Sequence, residues 1–166
     1  MRRKYTKKFT ASLVTSQKIS NIAINIKTTK MNFSNKKVWI TGASSGIGEA
    51  LTYKFSELDA NVIISSRRES ELQRVKAACK HPDKITIVPL DLEKYHEIAD
   101  IANPILQQIG NIDILINNGG ASQRALVIEE DLSVVEKMIK INFMGAVALT
   151  KAILPGMIAQ KSGHIV

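Results

Sequence analysis

The stretch Val38 to Leu51, VWITGASSGIGEAL, carries glycines at 42, 46 and 48 just where an apolar run gives way to a helical pattern. Glycine admits the backbone conformations of a tight turn and lets a ligand come close. A helix starting there presents unpaired N–H groups and the positive end of its dipole. That combination suits an anion such as a pyrophosphate, held by Thr41, Gly42, Ser44, Ser45, Gly46, Ile47 and Gly48. The same glycines would also serve a strand-to-helix turn that binds nothing. Their spacing, Gly-x3-Gly-x-Gly, differs from the Gly-x-Gly-x2-Gly of many dinucleotide sites.

A second cluster lies 17 to 20 residues beyond Gly48, where Ser65, Ser66, Arg67 and Arg68 close an apolar run and no acid appears before Glu69. An acid near this distance holds the ribose hydroxyls of NAD, whereas arginine accommodates the 2′-phosphate of NADP. A phosphate beside Arg67 gains a charge-assisted pair that a bare diol does not. NADP(H) is therefore expected over NAD(H), the competing reading being two arginines that merely solvate a helix start. His81, His96 and His164 are dispersed and Cys79 is the only cysteine, so neither a metal site nor a disulfide is expected.

These groups must be positioned by elements that the patterning supplies. Short β-branched runs predict strands at 38–41, 61–66, 85–90 and 112–117, with a fifth beginning at His164; between them, helical periods predict helices at 46–58, 69–80, 94–110 and 131–154. The strands read as nearly continuous apolar runs, as when helices cover both faces. An α/β fold follows, a doubly wound parallel sheet of about five strands with the fifth cut short. Pro104 predicts a third helix that is kinked or begins late, and Pro155 the end of the fourth. Leu132, Val135, Ile139, Asn142, Ala146, Leu149 and Ile153 recur at helical spacing, which puts Asn142 on a buried stripe where its amide needs partners.

Charge separates the chain into two parts. The net charge is +8, yet residues 1–37 hold ten of the 23 Lys and Arg and no acid, which leaves 13 basic against 15 acidic residues in the rest. No nucleic-acid partner is expected of a domain with that balance. Residues 1–36 read as a basic disordered tail, a transit-like segment or a stretch foreign to the coding region, and residues 37–166 as the cofactor-binding domain. The longest run without charge, Ile101 to Ile112, has 12 residues, so no membrane span is expected. Endoplasmic-reticulum, mitochondrial and cytoplasmic placement all stay open.

The order of motifs resembles the short-chain dehydrogenase/reductase family, NAD(P)-dependent oxidoreductases on a Rossmann sheet. Thr41-Gly42-x3-Gly46-x-Gly48 follows the first strand, Asp91-Leu92 the third, and Asn117-Asn118-Gly119-Gly120 the fourth, where Gly119 stands in place of the usual alanine. NNGGASQR and LPGMI look most like the branch named dehydrogenase/reductase member seven. The resemblance implies that Asp91 and Leu92 lie at the adenine, that Asn117 and Gly119 border the cofactor, and that Asn142 is a catalytic-site residue holding a water in relatives. Gln123 and Arg124 would lie in the loop over the cleft, facing substrate or solvent. It further implies a small carbonyl or alcohol substrate and homo-oligomeric full-length relatives. The family's proton donor is a tyrosine followed four positions later by lysine, with a serine nearby. Here Tyr5, Tyr53 and Tyr95 are followed at that distance by Phe9, Glu57 and Ala99. The chain is thus expected to be an N-terminal fragment or truncated isoform that ends in the fifth strand and does not turn over, or a non-catalytic NADP-binding or interaction module.

Overall fold

The computed structural model describes residues 32–166. The expectation for the basic segment falls almost entirely on residues outside that range. Five parallel strands form one sheet in the order β3-β2-β1-β4-β5: β1 Lys37–Thr41, β2 Asn61–Ser65, β3 Ile85–Ile87, β4 Ile114–Ile116 and β5 His164–Ile165. The helices are α1 Gly46–Glu57, α2 Glu69–Ala77, α3 Ile98–Ile109, α4 Leu132–Ile139 and α5 Gly145–Ala159. This is the expected doubly wound α/β architecture of the Rossmann type.

The alternation of the central strand explains the two layers. Val38 and Ile40 point to one face, where they join Val62, Ile64, Leu72 and Val75 under α1 and α2. Trp39 points to the other and joins Ile63, Ile98, Leu115, Leu149 and Ile153 under α3 and α5. The indole N–H of Trp39 donates to Ser65 Oγ at 2.9 Å, so the largest buried side chain leaves no polar atom unmet there.

Several boundaries differ from expectation. The third strand stops at Ile87, although Val88 N and Leu90 N still donate to the Ile64 and Ser66 carbonyls of the neighbouring strand. The second helix ends at Ala77, and the fourth strand is trimmed to Ile114–Ile116. The third helix begins late: a 3-10 stretch, Leu92–Glu97, breaks at Lys94 before α3 starts at Ile98. The fourth helix does not end at Pro155. It runs from Leu132 to Ala159, widened by a π-helical segment at Lys140–Met144. Pro155 lies on the exposed side, where the carbonyl it leaves without a donor can meet water, while Leu149, Ile153 and Met157 keep the helix on the sheet.

Two expectations change with that helix. Among the described residues it is long and apolar enough to cross a membrane by length and composition, a run that a criterion of uncharged length passes over because Glu136, Lys137, Lys140 and Lys151 interrupt it. And Asn142 is exposed rather than on the buried stripe: the buried series is Ile141, Gly145, Leu149, Ile153 and Met157. The π turn takes up an extra residue and shifts the register by one position.

Candidate functional site

A cleft of about 370 Å³ opens at the carboxyl ends of β1, β2 and β4, where the strand order runs outward in both directions from β1. Such a switch point is where open α/β sheets take ligands. Of the residues expected to hold a cofactor, Thr41, Gly42, Ser44, Ser45, Ser66, Arg67, Arg68, Asp91, Leu92 and Gly119 line it. Gly46, Ile47, Gly48 and Asn117 do not. Ser65, Leu90, Asn118, Gly120, Ala121 and Ile141 complete the wall without having been expected.

The glycine turn is built for shape. Gly42 and Gly46 have φ of 68° and 59°, a left-handed conformation that costs most residues energy. Gly48 serves the chain itself: a Cβ there would lie 2.3 Å from the Gly42 carbonyl oxygen. Asn118 pegs the turn from across the cleft, its Nδ2 donating to the carbonyls of Thr41 at 3.0 Å and Gly42 at 3.3 Å. Thr41 Oγ1 accepts from Gly119 N at 2.9 Å and so ties the end of β1 to the end of β4. A Cβ on Gly119 would come within 2.7 Å of Leu92 Cδ1, which leans into the space an alanine methyl would take. Asn118 was legible only as the second residue of a doubled asparagine.

The start of α1 is left open. Ser45 is its N-cap in extended conformation, but its side chain makes no capping bond. The first-turn N–H groups and the Ser45 hydroxyl therefore remain available to an anion. Arg67 and Arg68 stand on the cleft wall, exposed, and among the described residues neither forms an ion pair. Asp91 Oδ1 accepts from Glu93 N at 3.0 Å, so that carboxylate caps the 3-10 stretch from within the cleft wall.

Asn142 lies outside this cleft and lines a neighbouring cavity of about 360 Å³ with Gln123 and Glu130, whereas Arg124 lines neither. Its amide closes a two-way bond with one residue, accepting from Ala121 N and donating to Ala121 O, each at 2.8 Å. Because Ala121 belongs to both walls, Asn142 fixes the boundary between the two spaces. Asn117 instead reaches away from the cleft. Its N donates to the Val166 carbonyl at 2.8 Å and its Nδ2 to Thr150 Oγ1 at 3.3 Å, and its buried Oδ1 has no partner.

A family model for short chain dehydrogenases matches residues 36–166, which takes in every strand and helix just described. The chain belongs to the short-chain dehydrogenase family. It is 50% identical over 137 residues to dehydrogenase/reductase SDR family member 7 of Mus musculus, a match covering 78% of this chain and 40% of that protein. The chain thus spans about two fifths of the length of the curated relatives it matches. Among solved structures, a short-chain dehydrogenase from Streptomyces avermitilis is 31% identical with a TM-score of 0.75, over 81% of this chain and 49% of that one. A metagenomic short-chain oxidoreductase in complex with NADP is 29% identical with a TM-score of 0.74, over 81% and 62%.

Proposed function

We propose that residues 37–166 hold NADP(H) for an oxidoreductase that interconverts a carbonyl and a secondary alcohol. The observation that carries this reading is the end of β2, where Ser66, Arg67 and Arg68 face the cleft with both guanidinium groups uncommitted. A 2′-phosphate fits that pair, and a diphosphate fits the open start of α1. When bound, the nicotinamide supplies the hydride donor or acceptor. The chain's own part is to grip and orient: Gly42, Ser44, Ser45 and the first turn of α1 toward the diphosphate, Asp91 and Leu92 toward the adenine, Gly119 and Asn118 as the floor. Asn142, through Ala121, holds the wall between the cofactor and the cavity where a small carbonyl or alcohol would enter.

The 166-residue chain by itself binds NADP(H) without turnover in this reading. A carbonyl becoming an alcohol needs a proton at its oxygen, and none of the three tyrosines has the lysine four positions on. Tyr53 is committed elsewhere: its hydroxyl donates to Glu49 Oε1 at 2.6 Å, and that bond, then burial, pushes its pKa above the ordinary 10.0, the wrong direction for a proton shuttle. This favours the second reading, a nucleotide-binding module without catalysis, for the isolated chain. A second copy of the protein is the partner this reading gives to the apolar outer side of α4 and α5.

Calorimetric titration tests both readings. NADP+ should bind about tenfold or more tightly than NAD+, and Arg67→Ala with Arg68→Ala should remove the preference, since a bond to a charged group contributes about 1.5–3 kcal/mol. Equal affinity for the two would overturn the NADP(H) assignment. NADPH oxidation above background with a panel of carbonyls would overturn the claim of no turnover.

A further inference from the structure

The open start of α1 has a carboxylate in its first turn, Glu49. An acid there is good for the helix but occupies the potential that a diphosphate would use, and like charges in one site repel. The structure answers this with a residue from the neighbouring layer. Arg74, on α2, meets Glu49 end-on, Nη1 donating to Oε1 at 2.8 Å and Nη2 to Oε2 at 3.1 Å. The same Nη2 donates to the Ser44 carbonyl at 3.2 Å, on the cleft wall, and Nε to Glu71 Oε2 at 2.9 Å. These four bonds to three residues exceed the three donors of a lysine ammonium and suit the guanidinium fork.

We propose that Arg74 is a positioning residue for the cofactor, cancelling the charge of Glu49 and pinning the Ser44 carbonyl so that the glycine turn offers its N–H groups to a diphosphate. The inference rests on the reading that this cleft holds NADP(H). As a plain stabilising contact the pair would matter little, because the Arg74 side chain is half exposed. Its weight lies in the ligand's charge. A carboxyl is already ionised at working pH at its ordinary 4.5, and Arg74 first and Tyr53 second draw Glu49 lower still, to about 2, so its repulsion is offset only by a cation beside it. Arg67 and Arg68 serve the far end of the cleft; Arg74 touches no part of the cleft wall except through Ser44.

The experiment is a titration of NADP+ into the full chain in four forms: unaltered, Glu49→Gln, Arg74→Ala, and both changes together. Arg74→Ala should weaken binding about tenfold, as a like-charge juxtaposition does, with a deficit that shrinks at high salt. Glu49→Gln should leave affinity equal or tighter, and adding it to Arg74→Ala should restore binding. A merely structural bridge predicts the opposite pattern, with both single changes harmful and no rescue, and that result would overturn the proposal. Should Arg74→Ala fail to fold by circular dichroism, weakened binding in Glu49→Gln alone still overturns it. If the unaltered chain binds no NADP+, the cofactor reading fails; if it binds and Arg74→Ala binds equally well, only the role of Arg74 fails.

Discussion

The helices on the two faces of the sheet have different outer surfaces. On one face, α1 buries Gly48, Thr52 and Ser56 and α2 buries Leu72 and Val75, and the outer side carries Lys54, Glu57, Glu71 and Arg74, with Ile47 at the open start of α1 as the exposed apolar exception. On the other, the continuous run of α4, the π-helical segment and α5 buries Leu149, Ile153 and Met157 but leaves Ile139, Phe143 and Ile158 at 53%, 61% and 67% exposure. A helix apolar on two sides asks for two partners. The sheet is one. The first layer presents mainly charge to solvent and holds the anion-binding turn; the second presents large apolar side chains on its outer side.

The same substitution placed in each layer gives the largest expected contrast. Ile64→Ala, at a position with no exposure, should cost about 2–5 kcal/mol through lost transfer energy and the cavity left behind. Ile139→Ala, more than half exposed, should stay within about 0.5 kcal/mol. Urea denaturation at low protein concentration measures both. If Ile139→Ala became costly only at high concentration, a second copy would be covering that side; if it were costly at every concentration, the contrast between layers would be wrong.

The sequence made the first layer legible because its signals are local. The glycines of VWITGASSGIG, the β-branched runs and the charged outer faces of α1 and α2 each determine conformation within a few residues. The glycine turn and the Ser66, Arg67 and Arg68 wall of the cleft could therefore be named from residue types, while Asp91, Leu92 and Gly119 came from the family resemblance. What escaped was set by tertiary geometry. Asn118 holds the turn from 76 and 77 positions away in sequence, and no local pattern announces such a peg. Asn142 was misplaced because a uniform 3.6-residue period was carried through Lys140–Met144, where the π segment adds a residue. Pro155 was read as a stop because its cost is large in isolation, whereas three buried side chains on one stripe hold the helix in place around it.

Acid should distinguish the layers more gently. Glu49 has its pKa drawn from the ordinary 4.5 to about 2 by Arg74 and Tyr53. Between those values the unfolded chain binds a proton that the folded chain does not, so stability rises with pH and is lost as pH falls through that window. Asp113 acts in the same direction: burial raises its pKa, but the Lys37 backbone N–H and the Lys36 ammonium outweigh it and the net shift is downward. The melting temperature should fall below about pH 4.5, and Arg74→Ala should flatten part of that slope by returning Glu49 toward its ordinary value. An unchanged slope would mean that the Arg74 contact is not maintained in solution.

The smallest expected effect lies at the start of α4. Asp131 caps that helix, its Oδ1 accepting from Ser133 N at 2.8 Å, and α4 has no buried residue of its own. A helix of eight residues with no buried side chain depends on its cap and on its continuity with α5. Asp131→Ala should therefore speed amide exchange a few-fold across residues 132–139 while leaving exchange in β1 and β2, global stability and NADP+ affinity unchanged. The reasoning is that local opening of α4 uncovers nothing that the sheet needs, whereas any opening of α1 would expose Thr52 and Ser56, which are fully buried against the first face. A loss of protection that spread into β1 would place α4 in the same cooperative unit as the cofactor turn, and the two layers would then differ in surface chemistry but not in stability.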